Sequence, residues 1–176
     1  SLYNFVSQNL GNKVLEIGCG RGGGLYFLAK KYPYIKFVGI DFSHENISQA
    51  KKTFSANNLK YKYGDAMNLQ FNNNEFDTII NLESSHCYTN IEKFINEASR
   101  VLKPNGIFNY ADFRENSIDT ICKNFNVVNN KDITENVLNS IIKLKKIREK
   151  QIDDYCKNSK ILINKNLMKW MLKDFC

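Results

Sequence analysis

The stretch Val14-Leu15-Glu16-Ile17-Gly18-Cys19-Gly20-Arg21-Gly22-Gly23-Gly24 constrains the fold most, because an apolar strand carrying a carboxylate runs straight into a glycine-dense turn. Glycine is required where the backbone takes positive φ or must approach a ligand closely, and a helix starting just after such a turn offers unpaired N–H groups to whatever sits at its end. A strand, turn and helix of this kind form a cradle for a nucleotide-type cofactor. Read as Gly18-x-Gly20-x-x-Gly23, the segment meets the dinucleotide fingerprint, with Asp41 at the spacing of an acidic ribose ligand. Glu16 argues for another class, since a carboxylate at the strand end suits a cofactor carrying a sulfonium and an amino group better than one carrying two phosphates. On the residues alone both classes stand.

Strand and helix signals alternate along the rest of the chain, the pattern of a parallel sheet covered on both faces. Lys13–Ile17 reads as the first strand and Gly22–Lys31 as its helix, which Pro33 breaks. Ile35–Ile40 is a second strand, and Ser43 is the N-cap of a helix reaching about Ala56. Leu59–Tyr63 is a third strand and Phe76–Leu82 a fourth. Ile91, Phe94, Ile95, Ala98 and Leu102 then share one helical face. Pro104-Asn105-Gly106 marks a turn before a fifth strand, Ile107–Ala111, and Asn126–Asn130 reads as a short sixth strand after a helix holding Ile118, Ile121 and Cys122.

In open α/β sheets ligands bind beyond the carboxyl ends of the strands, so the residues there belong together. They are Glu16, Asp41, Asp65, Glu83 to Tyr88, and Asp112. Glu16, Gly18, Gly20 and Gly22 resemble, position by position, the acidic-x-Gly-x-Gly-x-Gly motif of the class I S-adenosylmethionine-dependent methyltransferases. That resemblance implies an α/β, Rossmann-like methyltransferase fold: a mostly parallel twisted sheet with helices on both faces. It implies S-adenosylmethionine as cofactor, held by Glu16, Gly18, Cys19, Gly20 and Gly22. Asp41 would accept from the ribose hydroxyls, with Phe42 stacking nearby, Asp65 and Ala66 at the adenine, and Asn81 closing the set.

Asn81-Leu82-Glu83-Ser84-Ser85-His86-Cys87-Tyr88 lies where such enzymes place the acceptor against the methyl group. It lacks the Asn/Asp-Pro-Pro-aromatic sequence of enzymes that methylate base amines. It is similar instead to small-molecule O-methyltransferases of the phthiotriolone dimycocerosate type, as are Tyr110-Ala111-Asp112-Phe113-Arg114 and Asp132-Ile133-Thr134 with Val137-Leu138. The expected reaction moves a methyl group to a hydroxyl of a small apolar acceptor, with Glu83, Ser85 and Tyr88 contacting that substrate. His86 is the candidate base, because imidazole titrates near neutrality, and Asp112 would orient its other nitrogen. An NAD-dependent oxidoreductase, an RNA methyltransferase and a cofactor-binding domain of little activity are the alternatives.

The net charge of +7 bears on the RNA reading. Ten basic residues between Lys143 and Lys173 stand against three acidic ones there, so the remaining chain is neutral in sum and the cofactor-binding part has no general attraction for phosphate backbones. The same region pairs its lysines with apolar residues at helical spacing: Val137, Leu138, Ile141 and Ile142, then Leu167, Met168, Met171, Leu172 and Phe175. Residues 1–132 therefore read as the cofactor-binding core. Residues 133–176 read as a basic amphipathic cap within the same domain, able to cover the substrate or to touch an anionic membrane surface. Methyltransferases of this class end in an antiparallel strand pair, and no last strand is visible before Cys176; the sheet lacks it or is completed by segments outside this sequence. No apolar run approaches the roughly 20 residues of a membrane span, and Ser1–Asn9 has no apolar core of a leader. The five cysteines form no Cys-x-x-Cys pair, so neither a disulfide framework nor a metal site is expected, and the expected location is the reducing cytoplasm.

Overall fold

Five strands, β1 (Lys13–Ile17), β2 (Lys36–Asp41), β3 (Leu59–Tyr63), β4 (Phe76–Leu82) and β5 (Leu102–Ala111), lie parallel in the order β3-β2-β1-β4-β5 in a computed structural model of the chain. The structure describes residues 3, 6, 7, 9–113 and 123–158. The chain winds outward from β1 to β3 and then returns to β4 on the other side, so the order reverses between β1 and β4. That reversal is where an open α/β sheet leaves its ligand crevice.

Alternation along the central strands sorts their side chains onto two faces. Leu15 and Ile17 join Ile79 and the buried face of α3 (Ile91–Val101), namely Phe94, Ile95, Ala98 and Val101. On the opposite face, Val14, Phe37 and Ile80 pack against Leu25, Leu28 and Ala29 of α1 (Gly23–Lys31) and Ile47 and Ala50 of α2 (His44–Thr53). Helices thus cover both faces, as expected, and the period-2 pattern puts Glu16 on the α1 side with Val14. Ser43 caps α2 as expected, its side chain accepting from the Asn46 amide at 3.2 Å.

Two expectations change. β5 begins at Leu102, because Leu102 pairs with Phe76 before the register jumps to Thr78 against Ile107. Lys103–Gly106 bulges between those pairs, with Asn105 at φ 62, so the turn chemistry is there but lies inside a strand. Asn126–Asn130 is not a strand, and both Val127 and Val128 are exposed. Ile118, Ile121 and Cys122 lie outside the described residues.

The chain divides into two compact units, Ser1–Val127 and Val128–Cys176. In the second, α4 (Thr134–Asn158) starts where Asp132 Oδ1 accepts from the Thr134 amide at 2.8 Å, and Leu138, Ile141, Ile142, Leu144 and Ile147 are exposed on it. Leu167, Met168, Met171, Leu172 and Phe175 lie outside the described residues. Among the described residues, no helix is long and apolar enough to cross a membrane.

Candidate active site

The glycine turn after β1 is built as its sequence demands. The amides of Gly18 and Cys19 both donate to Ile40 O at 2.9 Å, which pins the turn to the end of β2. Gly18 sits at φ 76, and a Cβ there would collide with the Ser84 side chain, so no other residue fits without displacing it. At Gly20, φ is 54 and a Cβ would meet nothing within 4 Å. Gly20 therefore faces open space and lets the backbone approach a ligand. Gly22 is the N-cap of α1 in a left-handed conformation and supplies no side-chain cap. The first-turn amides of α1 thus have no side-chain partner at the cap position. Cys19 is buried behind the turn, where burial pushes its thiol well above the ordinary range.

Two carboxylates frame this turn. Asp41, at the end of β2, accepts from the Gly20 amide at 2.8 Å, the Ser43 amide at 2.9 Å and Asn46 Nδ2 at 3.2 Å. It is thereby held rigidly beside the turn. Glu16 is buried, with Tyr3 Oη donating to its Oε1 at 2.5 Å and no partner for Oε2 among the described residues. Burial raises its pKa to about 7; the Tyr3 hydrogen bond opposes the rise and the Asp41 charge adds to it. Asn81, in β4, donates to Ile17 O at 2.9 Å and to Ser84 Oγ at 2.7 Å, while its buried Oδ1 has no partner among the described residues. One carboxylate oxygen on β1 and one amide oxygen on β4 are thus without a partner among the described residues, and buried acceptors in that state take donors from water or from a ligand.

On the far side, Asp65 takes the Met67 amide on Oδ1 at 2.8 Å and ends β3 in a turn, with Ala66 buried behind it. Phe42 is exposed, its ring 5.6 Å from that of Tyr63. Tyr88 places its hydroxyl 3.0 Å from Ser84 Oγ and 3.1 Å from Asn81 Nδ2, and burial pushes its pKa up to about 12. Glu83 is exposed at φ 49.

Beyond β4 the short 3-10 turn Ser85–Cys87 meets the end of β5. His86 Nδ1 lies 2.9 Å from Asp112 Oδ1, with the Asp112 side chain fully enclosed and the imidazole partly open. Burial alone would raise the Asp112 pKa, but hydrogen bonds from Ser85, His86 and the Phe113 amide outweigh it and hold the carboxyl below its ordinary value. An ionised Asp112 can only accept, so the proton on that bond belongs to Nδ1, and in the neutral ring the lone pair is on Nε2. Ser85, expected at the substrate, is wholly buried, with its hydroxyl on Tyr110 and Asp112. Sequence reasoning missed Tyr3 and gave Ser84, though among the strand-end residues, no role, because no spacing rule connects them to their partners Glu16 and Asn81.

Comparison with known proteins agrees with the fold. A family model described as a methyltransferase domain matches residues 8–174. The chain is 40% identical over 107 residues to a phthiotriol/phenolphthiotriol dimycocerosates methyltransferase of Mycobacterium tuberculosis, covering 61% of this chain and 40% of that protein. It is 38% identical over 104 residues to a fatty-acid O-methyltransferase of Mycolicibacterium smegmatis, covering 59% and 38%. The chain thus spans about two fifths of the length of these relatives. In fold it is similar to the geranyl diphosphate C-methyltransferase of Streptomyces coelicolor A3(2), solved with Mg2+, geranyl diphosphate and S-adenosyl-L-homocysteine. The TM-score is 0.54 at 19% identity, over 61% of this chain and 42% of that one.

Proposed function

Because the chain belongs to the methyltransferase-domain family, we propose that it transfers the methyl group of S-adenosylmethionine to a hydroxyl of a small, lipid- or polyketide-like molecule. The residues fit the cofactor. Glu16 Oε2 and Asn81 Oδ1 are buried acceptors in need of donors, Gly20 opens the turn, and a buried carboxylate suits an ammonium and a sulfonium where it would repel a pyrophosphate. Asp41 would take the ribose hydroxyls, and Asp65 with Ala66 would border the adenine. When bound, S-adenosylmethionine supplies a methyl group on a good leaving group, for in-line displacement by the acceptor oxygen.

The observation that carries the choice of a hydroxyl is the His86–Asp112 pair. A carboxylate acceptor, such as a fatty acid offers, is already an anion and needs no base. A hydroxyl must lose its proton, and in the neutral ring His86 Nε2, left as the accepting nitrogen by the hydrogen bond of Nδ1 to Asp112, can take it. On this reading Ser85–Tyr88 and Asp112 would stand at the acceptor end, and the exposed Phe113 ring, 4.2 Å from the imidazole, would offer an apolar surface to a greasy substrate.

The test is a set of long-chain alcohols and the matching acids incubated with cofactor carrying an isotopically labelled methyl. Label should appear in alkali-stable ethers of the alcohols. Label confined to alkali-labile methyl esters of the acids would overturn the choice of acceptor while leaving the methyl transfer intact.

A further inference from the structure

The carboxylate that orients His86 is itself held by a file of hydroxyls. Asp112 Oδ2 receives Ser85 Oγ at 2.8 Å and the His86 amide at 3.2 Å, and Oδ1 receives His86 Nδ1 and the Phe113 amide at 2.9 and 2.8 Å. Ser85 has one hydroxyl proton, and a carboxylate can only accept, so that proton lies on the bond to Asp112. Tyr110 Oη, 2.7 Å from Ser85 Oγ, must then be the donor to Ser85. The directions are fixed: Tyr110 to Ser85, Ser85 to Asp112, Nδ1 of His86 to Asp112.

We propose that Ser85 and Tyr110 are positioning residues for the His86–Asp112 pair, rather than contacts for the substrate. Ser85 is 0% exposed and cannot reach a ligand without unpacking. What it can do is anchor Oδ2, which turns Oδ1 toward Nδ1. The enclosed Asp112 side chain, stripped of Ser85, would keep fewer donors to support its charge; once neutral or rotated, it would no longer hold the proton on Nδ1. The imidazole would then populate the tautomer with its proton on Nε2, which cannot accept from a hydroxyl. Tyr110 acts one bond further out, by fixing the Ser85 hydroxyl in the donor orientation. The inference rests on the reading of His86 as the base, but concerns the state of its ring.

Long-range proton–nitrogen correlation spectra of the nitrogen-15-labelled protein, recorded above the pH range in which histidine titrates, read that state directly. The chain has two histidines, so His44 serves as the internal reference. The wild type should show His86 with its proton on Nδ1. Ser85→Ala should move the tautomer ratio toward Nε2–H by about five- to tenfold, the consequence of losing one buried hydrogen bond, and Ser85→Thr should restore it. Tyr110→Phe, which keeps the ring and removes only the hydroxyl, should shift it in the same direction and carries the test if Ser85→Ala does not fold. Unchanged tautomer ratios in the variants that fold would overturn the proposal, as would a wild-type ring protonated on Nε2. Methyl transfer plays no part in the spectra, so undiminished turnover of a His86 variant would remove the base and leave the relay to be judged on its own.

Discussion

Replacing His86 with alanine will lower the rate of methyl transfer by about 10²–10⁴-fold, the usual contribution of a positioned general base, while leaving the affinity for S-adenosylhomocysteine unchanged. The separation follows from the structure. His86 makes its hydrogen bonds to Asp112, whereas the groups proposed to hold the cofactor are Glu16, Asp41, Asp65 and the glycine turn. Asp112→Asn should lose nearly as much, because an amide can present its N–H to Nδ1 and leave the ring with the wrong tautomer. Combining the two should cost no more than the worse one alone, since residues acting as a unit are not additive. Turnover and binding measured on the same preparations check this. Additive losses would assign the two residues separate roles.

Substituting Glu16 with glutamine should have opposite effects on stability and on binding. Below about pH 4.5 the Glu16 carboxyl is protonated in both folded and unfolded chains and favours neither. As pH rises toward 7, the unfolded chain ionises while the folded one, with its pKa raised to about 7 by burial, does not. Stability therefore falls across that window and levels off above it, by about 3 kcal/mol for a shift of this size. Glutamine cannot ionise and keeps an oxygen for the Tyr3 hydroxyl, so Glu16→Gln should be more stable than the wild type above pH 7, with no decline between pH 4.5 and 7 from this group. Glu75, Asp77, Glu97 and Asp112 have lowered values, so their losses occur on acidification below the ordinary carboxylate range and do not overlap the window. Ligand affinity should respond in the other direction. Cofactor binding through an ammonium favours ionised Glu16, so wild-type affinity for S-adenosylhomocysteine should climb as pH passes through 7, and that climb should vanish in Glu16→Gln. Denaturant titrations and calorimetry across pH 5–8 would measure both; parallel pH profiles for the two proteins would show that Glu16 is neither strained nor engaged.

The sheet was legible wherever a short-range rule governs it. β1, β3 and β4 begin and end where the apolar runs do, at Lys13–Ile17, Leu59–Tyr63 and Phe76–Leu82, and Ser43 caps α2 through its own side chain. The rules failed where a partner strand decides. Leu102 is drawn into β5 by pairing with Phe76 across a bulge, whereas Val127 and Val128, β-formers by propensity, lie exposed outside any strand. In the site, the strand ends bring Glu16, Gly20 and Asp41 to one side of the sheet, and a hydrogen bond joins Gly20 to Asp41. Strand-end position does not reveal Tyr3, whose hydroxyl reaches Glu16 from outside the sheet, nor that Ser85 faces inward to Asp112. Hydroxyls carry no periodic signature, and only the packed structure shows which way they donate.

Calorimetric titration of S-adenosylhomocysteine into the wild type and Asp41→Ala tests the cofactor cradle most directly. The wild type should bind it and give no heat with NAD, and Asp41→Ala should bind it more weakly by about 1.5–3 kcal/mol, the worth of hydrogen bonds to a charged group. Wild-type binding to NAD in place of S-adenosylhomocysteine, or equal affinities in the two proteins, would contradict the site described.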